Sequence, residues 1–196
     1  MHASLDDKAL DIIFRDARTP MHWSDEPVGD DILQKLWDLV KWGPTSANCL
    51  PARIKFFKSA AAKEKLRPFV AESNIEKTIS APVCALLSYD IEFYEHLPRL
   101  FPDDQSAKTW FNWSVDHATT TAFRNGTLQS GYFIVAARAL GLDAAPMSGF
   151  DNAAVDAEFF PDGKVKSNLL CGLGIRAEPT PARAPRFDFN GVCEIL

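Results

Sequence analysis

The chain has 196 residues, 46% of them apolar and 24% charged, and its 21 Lys and Arg against 26 Asp and Glu leave a net charge of −5. That is the composition of one ordinary globular domain spanning 1–196, long enough to bury a sizeable core without staples. The acidic balance argues against broad electrostatic capture of nucleic acid or of an anionic membrane, and no apolar run approaches the roughly 18 residues of a membrane span.

Ser4 and Asp7 look like a capping box ahead of Ala9, Leu10, Ile13 and Phe14, which predicts a first helix of about ten residues. Acids in the opening MHASLDDKALDII stand where a signal peptide needs positive charge, so a cytoplasmic protein is expected. Asp30 or Asp31 is expected to cap a second helix whose Ile32, Leu33, Leu36, Trp37 and Val40 form one stripe, stopping at Trp42-Gly43-Pro44. After the polar loop 44–51, residues 53–58 are rich in β-formers and read as a half-buried strand. Residues 59–70 read as a helix. The continuous apolar run 82–87 suits a central strand covered on both faces.

Between 90 and 117 the residues Phe93, Tyr94, Phe101, Trp110, Phe111 and Trp113 follow no regular period, which suggests a lid or pocket wall. Trp37 and Trp42 are expected in the core or at an interface. Residues 119–140 predict the longest helix, with Phe123, Ile134, Ala137 and Leu140 at helical spacing before Gly141 stops it. A turn at 146–149, a short helix at 152–159 and a buried strand at 169–175 follow. The last stretch, 178–196, carries three prolines and then Phe187, Phe189 and Val192. It reads either as an extended arm that wraps around or adds a strand to another subunit, or as a disordered tail.

Helices thus interleave with about four strands, but neither a strand-GxGxxG-helix unit nor a P-loop occurs, which disfavours a Rossmann or P-loop nucleotide site. Cysteines at 49, 84, 171 and 193 have neither zinc-site nor CxxC spacing, so they read as reduced thiols and no metal site is expected. His22, His96 and His117 read as surface or structural residues and His2 as a terminal one. Four polar-basic clusters remain: 15–19, 44–48, Asn74 with Lys77, and 183–186. Arginines beside hydroxyls suit a phosphate, because guanidinium offers forked donors and Ser and Thr add hydrogen bonds.

In order and context these clusters resemble the FMN-dependent nitroreductase family over residues 4–196. Arg18-Thr19 ahead of Trp23-Ser24-Asp25-Glu26-Pro27-Val28 is similar to the family's opening phosphate-binding stretch. Pro44-Thr45-Ser46-Ala47-Asn48 resembles its PSSxN loop beside the flavin, and Asn74 and Lys77 fall where it places an Asn and a Lys near the pyrimidine edge of the ring. Leu140-Gly141-Leu142-Asp143 followed by Pro146-Met147-Ser148-Gly149-Phe150-Asp151 resembles its LGLD and P-x-x-G-F segment, and Arg183 sits where a basic residue contacts the FMN phosphate. Closer similarity is to the malonic semialdehyde reductase (3-hydroxypropanoate dehydrogenase, NADP) branch of bacterial pyrimidine degradation, which also carries a segment like Thr121-Ala122-Phe123-Arg124-Asn125. The chain departs from the family pattern in three places: Leu50-Pro51-Ala52 replaces its Gln-Pro-Trp, Ser148 its Glu, and Met21 the second basic residue of the opening stretch.

The resemblance implies an α+β nitroreductase-like fold, with a mainly antiparallel central sheet flanked by helices, in an intertwined homodimer with an exchanged C-terminal arm. It implies FMN held by Arg18, Thr19, Pro44, Thr45, Ser46, Asn48, Asn74, Lys77, Met147, Ser148, Gly149 and Arg183, with NADPH or NADH as hydride donor. No side chain is an evident general acid; Lys77 would support negative charge on the reduced ring. A carboxylate-bearing aldehyde needs a cation, for which Arg124 and Arg99 are the candidates, with Trp110 and Phe111 as pocket wall. Two other readings stay open, a broad nitroaromatic or quinone reductase and a flavin-binding protein without turnover.

Overall fold

The apolar run of 82–87 becomes the middle of the molecule. In the computed structural model, which describes residues 3–196 and leaves Met1 and His2 outside the described residues, this run lies in β2 (Val83–Asp90), between β1 (Ala52–Phe57) and β4 (Val165–Gly174). An edge strand, β3 (Asp143–Met147), completes a sheet of order β1-β2-β4-β3, antiparallel at every step. The expected antiparallel α+β architecture is therefore present. The two inner strands alternate over Val83–Leu87 and 169–173, up to a bulge opposite Leu87 and Ser88. Val83, Ala85, Leu87, Cys171 and Leu173 face one side, while Cys84, Leu86 and Leu170 face the other.

Each face is covered by its own helices. The first carries α2 (Asp30–Val40) and α6 (Val115–Ala139), through Leu33, Leu36, Val40, Phe133, Ala136 and Ala137. The second carries α3 (Ala60–Glu64), α4 (Glu72–Ser80) and α7 (Asn152–Phe159), with Ala62, Ile75, Val155 and Phe159 packed on it. Removing a side chain such as Leu36 or Leu86 from water stabilises the fold by roughly 1.5–3 kcal/mol each. A third apolar cluster lies beyond the sheet, where Phe93, Leu97 of α5 (Leu97–Leu100), Ala107 and Ala122 enclose Cys49. The aromatic segment is thus a packed flap on α6.

Several local expectations are corrected. The first helix is only α1 (Asp7–Leu10), capped by Asp6 Oδ1 on the Ala9 amide at 2.8 Å rather than by Ser4, and it widens into a π turn at Asp11–Arg15. Gly29 occupies the N-cap of α2, leaving Asp30 and Asp31 in its first turn, where their charge suits the helix dipole. The helix expected over 59–70 breaks after Glu64, because Pro68 cannot continue it, and resumes as a short 3-10 turn. Residues expected as a turn at 146–149 begin inside β3; its outer edge has no neighbour, so the missing Pro146 N–H costs no ladder bond. Phe123 lies off the buried stripe of α6 and is exposed. Trp37 and Trp42 are also exposed in the protomer.

The C-terminal stretch leaves β4 without joining the sheet. It forms one short helix, α8 (Phe189–Val192), and exposes Phe187, Phe189, Val192, Ile195 and Leu196. No helix of the described residues is long and apolar enough to cross a membrane, and no cluster of His, Cys, Asp and Glu among them could hold a metal ion.

Candidate functional site

The π turn ends α1 with carbonyl groups that no helix partner takes, and arginines fill the vacancy. Arg18 Nη1 donates to the carbonyls of Arg15 and Ala17, both at 2.9 Å. Arg183 Nη2, from the C-terminal stretch, donates to Phe14 O at 2.9 Å, to Ala17 O at 3.1 Å and also to Arg15 O. Two guanidiniums therefore share the same carbonyls, and neither is paired with a carboxylate among the described residues. Arg138 on α6 reaches the same turn at Ile13 O, 3.1 Å away. Its pKa is lowered, first by burial and additionally by the charge of Arg183, against the pull of Asp143. Like charges this close call for an anion. The donor set fits a phosphate, which would neutralise Arg18 and Arg183 bidentately.

From this basic end the chain runs straight to α4. Residues 22–24 lie beside 175–177, with Ser24 N donating to Ile175 O at 2.8 Å and Ala177 N to His22 O at 3.0 Å. Trp23 then crosses Gly172 and donates its Nε1 proton to Lys77 O at 3.2 Å. Lys77 is half-buried, and no acid pairs with its ammonium among the described residues. One turn earlier on α4, Asn74 Nδ2 donates to Gly149 O at 3.3 Å, and Ala71 N donates to the same carbonyl at 2.9 Å. Thr78 Oγ1 donates to Met147 Sδ at 3.7 Å, which fixes α4 against the end of β3. Arg18, Thr19, Asn74, Lys77, Met147, Ser148, Gly149 and Arg183 thus form one connected group. Thr19 and Ser148 are exposed within it.

The second group stands elsewhere. Loop 44–51 is held on α6, where Asn125 Oδ1 accepts the Ser46 N–H at 2.9 Å. Ala47, Asn48 and Leu50 have φ of +47°, +53° and +39°, the left-handed region that side chains with a Cβ avoid. Thr45 Oγ1 accepts from Leu50 N at 3.2 Å, across the bend. Asn48, expected among the residues that hold FMN, donates its Nδ2 to Leu100 O at 2.8 Å and so ties the loop to the aromatic flap. Pro44, Ser46 and Asn48 remain exposed. Burial pushes the neighbouring Cys49 thiol up to about 11, against a hydrogen bond from Thr45, so it stays protonated and is no nucleophile.

The two groups stand apart along α6. Arg138, which touches the basic turn, and Asn125, which holds the loop, are about 20 Å apart along α6. One protomer holds the sequence-predicted residues as two separate groups rather than in one pocket.

The flap packs its rings against one another. Phe93 contacts Phe111 at 5.3 Å between centroids, Trp110 contacts Phe101 at 5.8 Å, and His117 stacks on Trp113 at 4.5 Å, a structural role for that histidine. Arg99 on α5 is exposed. Arg124 lies on the outer face of α6, lining a groove of about 880 Å³ with Phe123, Leu128 and Tyr132. The structure does not bring these two arginines into one polar contact. Sequence reasoning missed Trp23, Asn125, Gln129 and Arg138. The two amides carried a readable signal, since polar residues four apart on the apolar stripe of a helix need partners.

The Nitroreductase family model matches residues 15–175. A protein of Cupriavidus pinatubonensis, assigned by name only as an NADH dehydrogenase/NAD(P)H nitroreductase, is 53% identical over 190 residues, covering 95% of this chain and 96% of its own. Among solved structures, a protein of Exiguobacterium sibiricum described as a nitroreductase in complex with FMN superposes with a TM-score of 0.85 at 16% identity, covering 100% of this chain and 99% of that one. A Bacillus subtilis protein named as a nitroreductase gives a TM-score of 0.82 at 20% identity, covering 97% and 100%.

Proposed function

Because this chain belongs to the nitroreductase family, we propose that it is a flavin-dependent oxidoreductase that binds FMN, takes reducing equivalents from NADPH or NADH, and reduces malonic semialdehyde to 3-hydroxypropanoate. The observation that carries the flavin reading is the Arg18 and Arg183 pair, two guanidiniums on shared carbonyls with no carboxylate between them. FMN, when bound, supplies hydride chemistry that no side chain here can. Arg18, Thr19 and Arg183 bind its phosphate. Asn74 and the backbone near Gly149 address the ring, and Lys77 offsets negative charge on it. Thr45, Ser46 and Asn48 come from a second copy.

That second copy follows from the split site. The outer face of α6 exposes Phe123, Leu128 and Tyr132 along one groove, and a second copy would cover it. Strand β1 has no neighbour on its outer edge, where Trp37, Ile54, Phe56 and Phe133 line a hollow of about 270 Å³. The apolar C-terminal stretch of a partner, with nothing to bury against in its own protomer, suits that edge.

The aldehyde reading rests on the branch resemblance and on two unpaired cations, Arg124 and Arg99, for the substrate carboxylate. The exposed rings of Trp110 and Trp113 favour a second reading, a broad nitroaromatic or quinone reductase. Two measurements decide. Purified or FMN-reconstituted protein absorbs near about 450 nm if the site is a flavin site, and reduction of that band by NADPH without oxygen separates an enzyme from a storage protein. NADPH oxidation is then followed with malonic semialdehyde and with a nitrofuran. Rapid turnover of the nitro compound alone overturns the aldehyde assignment.

A further inference from the structure

We propose that Asn125 and Gln129, one turn apart on the buried face of α6, are positioning residues that lock loop 44–52 into the shape FMN binding requires; the proposal rests on the flavin reading above. Both amides are almost wholly buried, at 2% and 1% exposure. A primary amide inside a helix packing face is costly unless it is bonded, so its presence demands a partner. Each carbonyl oxygen finds one in the backbone of residues 44–52 and not in another helix, while Gln129 Nε2 is buried without a partner among the described residues. Asn125 Oδ1 accepts Ser46 N–H at 2.9 Å, and Gln129 Oε1 accepts Ala52 N–H at 2.9 Å. Asn125 Nδ2 donates to Thr121 O at 2.9 Å, which fixes the amide with its oxygen toward the loop.

Between these two grip points lie Ala47, Asn48 and Leu50, the three non-glycine residues of the described chain at positive φ. Backbone of this kind persists only where its surroundings over-determine it. The rigid helix does so, because acceptors four residues apart are held about 6 Å from one another along its axis. Released from either grip, the loop relaxes toward ordinary backbone, and Thr45, Ser46 and Asn48 no longer arrive at the cofactor as one preformed set. The amides touch neither the cofactor nor the substrate. They act through the loop, by lowering the ordering cost of binding.

The test uses the full chain, stripped of flavin, titrated with FMN and read by flavin fluorescence, beside far-UV circular dichroism. Asn125→Leu and Gln129→Leu each remove one acceptor at similar volume, and each weakens FMN binding about tenfold or more. Ser130→Ala is the control. Ser130 is equally buried on α6, but its hydroxyl donates only to Gly126 O of its own helix at 2.9 Å, so FMN affinity stays within about twofold. Leucine variants that bind FMN as tightly as the parent, or a Ser130→Ala that weakens it as much, overturn the inference and leave the flavin reading standing. A parent chain that binds no FMN overturns the flavin reading itself. Should the leucine variants not fold, hydrogen exchange on the parent decides: Ser46 and Ala52 amides protected well beyond a free peptide support the grip, and unprotected amides refute it.

Discussion

An alanine at position 149 separates cofactor binding from folding. Its Cβ would stand 2.5 Å from Asn74 Nδ2 and 3.4 Å from Ala71 Cβ, so the Asn74 amide must retreat by about 0.9 Å to reach ordinary contact. The retreat sacrifices the 3.3 Å bond from Asn74 to Gly149 O, worth about 0.5–1 kcal/mol at that length. Against this, losing a glycine restricts the unfolded chain and returns about 0.4–1 kcal/mol. The two terms nearly cancel, so thermal unfolding of Gly149→Ala moves by no more than about 3 °C. Binding has no such compensation. On the flavin site proposed above, the displaced amide would no longer meet the ring edge and the methyl would stand where the backbone approaches it, a loss of about 1.4–2.8 kcal/mol or ten- to hundredfold in Kd. Fluorescence titration of the flavin-free protein and a melting curve read the two quantities separately. An unchanged Kd with an unchanged Tm refutes the placement of Gly149 at the ring, and a Tm lowered by more than about 8 °C shows a packing glycine instead.

Gly126→Ala behaves differently, because its Cβ would meet Tyr89 Cβ at 2.8 Å, an atom fixed to the backbone of β2. Helix propensity gains about 1 kcal/mol and overpacking costs about 1–3, so Tm falls by a few degrees; a rise contradicts the close approach. Thiol labelling of the native protein at pH 8 stops at one fast cysteine, Cys193, since burial raises Cys49 to about 11, Cys84 to about 12 and Cys171 further still; three more react on unfolding, and early labelling of any of them contradicts their burial. Lys63 donates to Ala81 O at 2.5 Å, and burial lowers its pKa. The unfolded chain then holds this proton more tightly than the native one, so its contribution to stability rises with pH between the lowered native value and the unfolded value near about 10.4. In Lys63→Met that slope disappears from urea unfolding measured across the alkaline range, and an unaltered slope shows that Lys63 is not its source.

What sequence could reveal divides along physical lines. The central strands were legible because burial on both faces demands unbroken apolar runs, which residues 82–87 and 169–175 display. The long helix was legible from length and the stop at Gly141, whose φ of +80° suits only glycine at low cost. Phe123 misled because an apolar residue on a helix was assumed to face its own core, whereas it faces outward. Strand β3 was hidden by Pro146, a residue that argues against a strand unless the strand is an edge, and edge status is a property of the sheet. The clusters at 15–19 and 183–186 could each be read as phosphate-seeking, but the meeting of Arg18 and Arg183 on the turn at 14–17 depends on a π turn that no local pattern announces.

The site carries a deeper limit on local reading. Residues 44–48 and 74–77 are separated in sequence by β1 and α3, and the chain passes from the α2 face of the sheet to the α4 face on the way. On the reading proposed above, a flavin that touches both half-sites must bridge two copies, so cofactor binding and dimer formation become one linked equilibrium. A ligand that binds only the dimer, present at about 100 times its Kd, stabilises it by about 2.7 kcal/mol per site, or about 5 kcal/mol for two sites. Sedimentation equilibrium of the flavin-free protein against dilution, repeated with saturating FMN, then shows the dimer persisting to concentrations lower by three orders of magnitude or more, roughly. Identical dissociation curves with and without FMN refute the shared site, because a flavin held wholly within one protomer has no differential affinity for the dimer and shifts nothing.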